Sequence, residues 1–411
     1  MSSIKPQTLK GFRDFLPSEA RKRQYVIRQL AEVFESYGFE PLETPALEYE
    51  EILLGKYGDE GDKLMYRFED RGKRKVALRY DQTVPLARVV AQYGNELPMP
   101  FKRYQIQPVW RADNTQKGRY REFLQCDIDI VGQDSQAADA EIIVIAEKSL
   151  EKLGFKNFKI RVGDRKLFEG IPPAAITIID KLKKIGEQKV KAELKEKGFD
   201  EKILNKVKNS KPSADIELIL GIAQEMGVAD KVYFDPTLAR GLNYYTGMIL
   251  EVEIDGFDAG SVCGGGRYDN LIGLFSGKQI PAVGFAFGFD RLIEAMTELK
   301  LFPDDLQTTK VLVTVFSSEL LEKSIEVSSR LRSNNINTEL YLEENSPLEK
   351  QLKYADKKGI PYTIIVGPDE ASNNTVTLRD MRTRKQKTIS EDKITNLLTT
   401  QLQPSQKNQA P

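Results

Sequence analysis

The chain has 411 residues and no histidine, and its 61 Lys and Arg residues are balanced by 61 Asp and Glu residues. The missing imidazole excludes Ser-His-Asp and Cys-His nucleophiles, HExxH metalloprotease sites and Cys₂His₂ zinc fingers. Acid, base or phosphate chemistry must therefore rely on carboxylates, Arg, Lys, Tyr or metal-bound water.

The composition, 40% hydrophobic and 30% charged, is typical of a globular protein of two or three domains. No apolar run approaches the roughly 20 residues that span a membrane, and the first residues resemble neither a secretory nor a transit peptide. Cys126 and Cys263 are too far apart in sequence for a CxxC motif. We therefore expect a cytoplasmic protein without a membrane partner. A local basic face remains compatible with the zero net charge.

The first third of the chain alternates helical and extended patterns. Helical spacing of apolar residues predicts a helix over 20–37, and Pro41 and Pro45 then predict an extended edge segment. A hairpin over 63–80 and a helix over 82–94 follow. Alternating residues in 101–132 predict two strands joined by a polar loop at 113–118.

The remaining pattern indicates a helical insertion and a second domain. A helix is predicted over 137–153, a Lys/Glu-rich helical insertion over about 165–230, and strands from 231 to about 289. We place the first domain at 1–305. Alternating strands and helices predict a small α/β domain with a largely parallel sheet at 308–403, and the polar tail 404–411 is predicted to be disordered.

Four segments have residue types suited to phosphate chemistry. The loop 111–121 concentrates basic side chains whose guanidinium forks suit a polyphosphate, and Phe123 could stack on a base. Segment 235–247 pairs Arg240 with tyrosines, 261–268 contains three consecutive glycines, and 282–292 leads an apolar strand into a helix. The plain alternatives are a charged hairpin for 111–121, a strand with a turn for 235–247, and close contact with another strand for 261–268. None of the segments contains a P-loop or dinucleotide motif.

In this order, the segments resemble the three signature motifs of class II aminoacyl-tRNA synthetases. Gly38–Pro45 resembles motif 1, Phe101–Gln125 motif 2 and Gly284–Leu292 motif 3. Arg240–Tyr245 and Gly264–Tyr268 resemble segments peculiar to histidyl-tRNA synthetases, and the similarity covers essentially the whole chain. The implied fold class is α/β (α+β): an antiparallel-sheet catalytic core with a helical insertion, and a small α/β anticodon-binding domain.

The resemblance implies a histidine–tRNA ligase that uses ATP and Mg²⁺ to make histidyl-adenylate and then transfers histidine to the 3′ end of tRNA(His). The implied catalytic residues are Arg240 and Arg111. The implied ATP-binding residues are Arg111, Arg119, Phe123 and Arg291. No protein metal ligand is assigned, because Mg²⁺ is expected to arrive with ATP. Such a reaction requires positioning and charge neutralisation rather than a protein base.

By the same resemblance, the α-amino group of histidine would be held by Asp81, Thr83 and Gln125, and its imidazole by Asp129, Tyr245 and Tyr268. Contacts to tRNA are expected from Gln116, Lys117, Arg379 and Arg382. Motif 1 implies a homodimer. The chain departs from the usual family pattern at several positions, which include Asp113 and Asp290 in place of Glu, Asn243 in place of Asp, and Asn114 in place of Arg.

Two other classes of protein share parts of this pattern. One is a non-catalytic, synthetase-like regulatory subunit of ATP phosphoribosyltransferase, which generally lacks the anticodon-binding domain and parts of the ATP motifs. The other is a synthetase-like domain that senses uncharged tRNA within a kinase. The retained motifs favour the ligase, and a kinase HRD motif is impossible without histidine.

Overall fold

A computed structural model describes residues 4–54, 64–114, 120–228, 230–239, 244–258 and 260–402. The chain divides into two compact units, residues 1–302 and 303–411.

The first unit begins with a long helix and two β-segments that lead to the central sheet. Its elements up to the insertion are α1 (Pro17–Ser36), β1 (Glu40–Pro41), β2 (Leu47–Tyr49), α2 (Glu50–Leu53), β3 (Arg67–Glu69), β4 (Lys75–Leu78), α3 (Thr83–Tyr93), β5 (Phe101–Trp110), β6 (Glu122–Val131), α4 (Gln136–Lys152) and β7 (Phe158–Asp164).

The insertion is helical and the sheet resumes after it. A 3₁₀ turn (Arg165–Phe168) leads to α5 (Pro173–Ile179), α6 (Leu182–Ile185), α7 (Glu187–Glu196), α8 (Lys202–Lys208), α9 (Ala214–Glu225), β8 (Val232–Phe234), β9 (Met248–Ile254), β10 (Cys263–Arg267), α10 (Gly273–Ser276), β11 (Ala282–Gly288) and α11 (Phe289–Glu298).

Eight strands form the central sheet in the order β1-β5-β6-β11-β10-β9-β7-β8. The six inner strands pair antiparallel, whereas β1 and β8 pair parallel at the two edges. One face of the sheet packs against α1, α4, α9 and α11 in the main core. The predicted antiparallel-sheet core is thereby confirmed, and the opposite face of the sheet is left for the site.

Most predicted elements of this unit are present, with small shifts at their ends. The first helix begins at Pro17 rather than residue 20, because Pro is favoured in the first helical turn. The Pro41 segment is the expected edge strand. The predicted hairpin is β3–β4, and Asp70 accepts a hydrogen bond from Arg74 N at 2.9 Å across its turn.

The helical insertion contributes to two different cores. Its helices α5, α7 and α8 enclose a small apolar core of their own, which includes Phe168. In contrast, Ile216 and Ile219 of α9 belong to the main core beneath the central sheet. The last insertion helix therefore packs beneath the central sheet and stabilises it.

The second unit is a five-stranded sheet with helices. Its elements are β12 (Val311–Val313), a 3₁₀ turn (Ser318–Leu320), α12 (Leu321–Ser333), β13 (Thr338–Leu340), α13 (Leu348–Lys358), β14 (Tyr362–Ile365), α14 (Pro368–Ser372), β15 (Thr375–Asp380), β16 (Gln386–Ser390) and α15 (Glu391–Leu402).

The sheet order in this unit is β13-β12-β14-β15-β16. The three strands expected from the strand–helix alternation are parallel, as predicted. The prediction of a largely parallel sheet was incomplete, because β15 and β16 add an antiparallel hairpin to one edge. That hairpin carries the basic segment 379–387, whereas the predicted tail 404–411 lies outside the described residues.

Candidate active site

The polar face of the central sheet is built by two paired strands, β5 and β6. Because side chains alternate across a strand, every second residue of β6 points to this face. Opposite them, β5 contributes residues in direct register. The resulting pairs are Gln107–Gln125, Gln105–Asp127 and Arg103–Asp129.

The next strands, β11 and β10, present almost no side chains on this same face. Their residues in register are Gly284, Ala286 and Gly288 on β11 and Gly264 and Gly266 on β10. A Cβ atom at Gly284 would overlap Asp129 Oδ1 and the Ile128 carbonyl oxygen. Glycine at this position therefore lets the Asp129 carboxylate lie over the neighbouring strand.

Two cavities lie over this glycine-rich half of the sheet. The larger has a volume of about 800 Å³ and the smaller about 30 Å³. Gly264 and Ala286 line both, so the cavities adjoin. The arrangement resembles one long site with a spacious and a narrow end.

The larger cavity collects the described residues that the sequence assigned to ATP. Arg111, Phe123 and Arg291 all line it. Arg111 Nε donates a hydrogen bond to the Tyr80 carbonyl oxygen at 2.9 Å, and its guanidinium lies 5.0 Å from the centroid of the Phe123 ring. Arg291 Nη1 donates to the Ser261 carbonyl oxygen at 2.6 Å. These contacts hold both guanidinium groups at the cavity wall.

Asp290, beside Arg291, is ion-paired with two arginines from the start of the chain. Its Oδ1 lies 2.5 Å from Arg23 Nη1, and its Oδ2 lies 3.0 Å from Arg13 Nη2. The Arg13 guanidinium also stacks 3.1 Å above the Tyr120 ring centroid. The sequence analysis gave Arg13 no role, because no local pattern around it indicates a partner almost 280 residues away.

The smaller cavity collects four of the six residues assigned to histidine: Thr83, Asp129, Tyr245 and Tyr268. Gln125 lines the larger cavity instead. Asp81 lines neither, and its Oδ1 accepts a hydrogen bond from Val84 N at 3.3 Å at the start of α3.

Asp129 is held from two sides. Its Oδ2 lies 2.7 Å from Arg103 Nη2 in a buried ion pair, and its Oδ1 accepts a short hydrogen bond from the Tyr268 hydroxyl. Burial raises the pKa of Asp129, while Arg103 and the Tyr268 hydrogen bond oppose that rise. Burial and the nearby Asp129 charge together raise the pKa of Tyr268 well above its usual value, so this phenol stays a donor.

Neighbouring aromatic and ionic contacts fix the tyrosines. The Tyr244 ring lies 4.5 Å from Tyr245 and 5.9 Å from Tyr268, centroid to centroid. Next to Tyr268, Arg267 donates from Nε to both carboxylate oxygens of Asp139 at 3.1 Å. This buried pair ties the end of β10 to helix α4.

Two residues of the site carried no role in the sequence analysis, Arg103 and Asp127. Both are almost completely buried, and Asp127 lines the smaller cavity. The signal that could have found Asp127 is its position in β6, two residues from Gln125 and two from Asp129, on the same face.

Several predicted residues are not part of this described geometry. Arg119, Arg240, Gln116 and Lys117, and the departure Asn243, lie outside the described residues. In the second unit, Arg379 is half-buried on β15, and the exposed Arg382 begins the turn to β16, where its backbone N–H donates to Asp380 Oδ1 at 2.8 Å.

Within the described ranges, no group of three or more Cys, Asp or Glu side chains is placed to hold a metal ion. The helices in those ranges are also too short or too polar to cross a membrane.

Sequence models of known families match both units. Residues 11–203 and 174–292 match the histidyl-tRNA synthetase model, and residues 310–401 match the model of an anticodon-binding domain. The second match covers the domain that the regulatory-subunit alternative generally lacks.

Similar proteins extend over nearly the whole chain. The histidine–tRNA ligase of Cytophaga hutchinsonii is 39% identical over 96% of this chain and 99% of its own length. That of Wolinella succinogenes is 41% identical over 93% of this chain and 96% of its own. The crystal structure of histidyl-tRNA synthetase from Nostoc sp. PCC 7120 superposes with a TM-score of 0.86 at 32% identity, covering 97% of this chain and 100% of that chain.

Proposed function

This chain belongs to the histidyl-tRNA synthetase family and is an aminoacyl-tRNA ligase for histidine, and from that premise we propose how its two cavities divide the reaction. ATP occupies the larger cavity and histidine the smaller one. The adenylate forms where they meet, above Gly264 and Ala286.

One observation carries this proposal: the described residues proposed for ATP line the larger cavity, and four of the six residues proposed for histidine line the smaller one. Arg111, Phe123 and Arg291 line the larger cavity. Asp129 and Tyr268, which are hydrogen-bonded to each other, line the smaller one. A carboxylate and a phenol offer the acceptor and the donor–acceptor pair that the two imidazole nitrogens require.

In the proposed first step, a carboxylate oxygen of histidine attacks the α-phosphorus of ATP, and pyrophosphate leaves. Arg111 neutralises charge on the α-phosphate, Phe123 stacks on the adenine, and Arg291 contacts the phosphates. Arg240 and Arg119 are proposed to assist as catalytic and phosphate-binding residues. In the second step, a ribose hydroxyl at the 3′ end of tRNA attacks the acyl carbon and displaces AMP.

Magnesium is proposed to enter with ATP. The carboxylates that line the larger cavity are Asp113, Glu251 and Asp290. Asp290 is paired with Arg13 and Arg23, and Glu251 Oε2 lies 3.5 Å from Arg161 Nη1. Asp113 or Glu251 would supply an oxygen ligand beside the phosphates, as carboxylates commonly do for Mg²⁺. The bound ion would neutralise negative charge on the phosphate oxygens.

Histidine-dependent exchange of pyrophosphate into ATP tests the proposal directly. Wild-type protein should catalyse exchange with histidine and with no other amino acid. Arg240→Ala should lower the exchange rate by orders of magnitude without unfolding the chain, whereas Arg28→Ala, on the exposed face of α1, should leave it unchanged. Wild-type exchange rates in Arg240→Ala would refute the role assigned to Arg240.

We also propose that the chain is a homodimer. Gly38–Pro45 resembles the interface motif of class II enzymes, and it runs into β2, where Leu47 and Tyr49 are 43% and 52% exposed. Light scattering should give about twice the mass of the 46.6 kDa chain. A monomer at micromolar concentration would contradict this assembly.

For tRNA(His), we propose contacts from Gln116 and Lys117 to the acceptor end and from Arg379 and Arg382 to the anticodon end. The support is the basic hairpin over 379–387, in the unit that matches an anticodon-binding domain. The proposed location is the cytoplasm, where ATP and tRNA are available for charging.

A further inference from the structure

Asp127 is a buried carboxyl group that no proposed step has used. It lies in β6 between Gln125 and Asp129, on the same face as both, and only 3% of its surface is exposed. Its side chain lines the smaller cavity together with Thr83. Asp127 therefore lies between the residues proposed for the two ends of histidine.

The two oxygens of Asp127 have different surroundings. Oδ2 accepts a hydrogen bond from Gln125 Nε2 at 2.9 Å. Oδ1 is buried and accepts no hydrogen bond from any described residue. A buried carboxylate oxygen without a donor is unfavourable, so this atom indicates a donor that is supplied by something bound in the cavity.

The charges around Asp127 favour a cationic donor. The ionisable groups that interact with it are the cations Arg103 and Arg79, the carboxyl groups of Asp129 and Asp81, the Tyr268 phenol and the Cys126 thiol. Arg103 Nη2 is committed to Asp129 at 2.7 Å. Burial raises the pKa of Asp127 to about 7, and the Asp129 and Asp81 charges add to that effect while Arg103 opposes it.

We propose that Asp127 is a further substrate-positioning residue, whose Oδ1 accepts a hydrogen bond from the α-ammonium group of bound histidine. The inference rests on the proposed binding of histidine in the smaller cavity. The α-ammonium is favoured over the imidazole because Asp127 is hydrogen-bonded to Gln125, whose Oε1 accepts from Arg111 Nη2 at 3.2 Å. Asp127 is thus linked to the ATP end of the site, whereas Tyr268 binds Asp129 at the other end.

Asp127→Asn tests this contact, because asparagine keeps the shape and can still accept from Gln125. Two probes should be titrated by calorimetry: L-histidine, and 3-(imidazol-4-yl)propionate, which is histidine without its amino group. We expect the variant to bind histidine at least tenfold more weakly and the deamino probe as wild type does. Equal weakening of both probes, or no weakening of either, would overturn the proposal.

A second readout excludes a purely structural role. The α-ammonium lowers the pKa of the imidazole in histidine relative to that in the deamino probe, so the ratio of the two affinities is compared between wild type and Asp127→Asn at each pH. Relative to the variant, the ratio in wild type should rise as pH increases from 6 to 8, because the ionised Asp127 attracts the ammonium. An equal pH dependence of the ratio in wild type and Asp127→Asn would contradict the inference.

The experiment separates this inference from the proposed function. If wild-type protein binds no histidine, the proposed function fails and Asp127 has no substrate to position. If wild type binds histidine and Asp127→Asn binds it equally well, only the role of Asp127 fails. Asp255→Asn, at an exposed residue after β9, serves as the matched control and should bind both probes like wild type.

Discussion

The two larger sheets of this protein bury polar groups in different ways. The central sheet of the first unit buries charged side chains, among them Arg103, Asp127, Asp129 and Arg161. In the core of the second unit the buried polar side chains are mainly neutral, namely Thr314, Ser324, Ser328, Gln351 and Thr363. The buried carboxylate Glu391 of the second unit reaches the partly exposed Lys323 and Arg330.

Neutral buried groups of the second unit form hydrogen bonds with the backbone. Gln351 accepts from Val315 N and donates to the carbonyl oxygens of Val315 and Ser346, and Ser324 donates to the Thr314 carbonyl oxygen. The charged groups of the first sheet instead surround a cavity. Because a buried charge is costly unless it is paired, charges concentrated at a cavity indicate a place where a substrate completes the pairing.

Removing the central cation should cause the largest effect. Arg103→Met leaves the buried carboxylate of Asp129 without its ion pair and removes the positive charge that opposes the pKa rise of Asp127. We expect the free energy of unfolding at pH 8 to fall by about 3–5 kcal/mol, measured by urea denaturation. Arg103→Lys, which keeps the charge, should lose less. If the free energy of unfolding of Arg103→Met fell by less than about 1 kcal/mol, the stability of the first unit would not depend on the Arg103–Asp129 pair.

Filling the glycine half of the first sheet should damage the site with a smaller effect on stability. Gly284→Ala places a Cβ against Asp129 Oδ1 and the Ile128 carbonyl oxygen, so Asp129 must move. We expect histidine-dependent exchange to fall at least tenfold and stability by about 1–3 kcal/mol. Gly221→Ala is the matched control, because its Cβ would meet nothing within 4 Å. Full exchange activity in Gly284→Ala would contradict the proposed position of histidine.

The sequence predicts the charged sheet well, because alternation along β5 and β6 is regular and each strand has ten residues. Alternation fixes the face on which Gln125 and Asp129 lie, and the family resemblance assigns them to histidine. Alternation does not fix the register between two strands, so the pairing of Arg103 with Asp129 became visible only in the structure.

Long-range ion pairs were the main part of the site that sequence reasoning missed. Arg13 and Asp290 are separated by most of the first unit, and neither lies in a pattern that specifies its partner. Likewise, the hairpin β15–β16 follows a helix–strand alternation that indicated only parallel strands. Local periodicity determines elements, whereas partners between distant elements depend on how the whole unit packs.

Gln351, a neutral buried side chain of the second unit, should affect stability alone. Gln351→Leu leaves Val315 N–H and two carbonyl oxygens without their buried partner. We expect the free energy of unfolding to fall by about 1–3 kcal/mol. Pyrophosphate exchange should be unchanged, because the two described cavities proposed to bind ATP and histidine are lined by the first unit. Gln401→Leu, at an exposed position of α15, should change neither quantity. A loss of exchange activity in folded Gln351→Leu would contradict the prediction that this buried group of the second unit contributes to stability alone.

The smallest effect should be a difference in how the two sheets respond to pH. Asp127 has a folded-state pKa of about 7, above its ordinary value of 3.8, so the folded chain retains a proton that the unfolded chain releases. Its contribution to stability is therefore present at low pH and is lost as pH rises to 7, with a slope of at most about 1.4 kcal/mol per pH unit.

Urea denaturation between pH 5 and 8 measures this difference. The free energy of unfolding of wild type should fall relative to that of Asp127→Asn up to pH 7, and above pH 7 the two free energies should change in parallel. Gln351→Leu should run parallel to wild type throughout, because a neutral amide does not titrate. Parallel curves for Asp127→Asn over the whole range would mean that the central sheet keeps Asp127 ionised even without substrate.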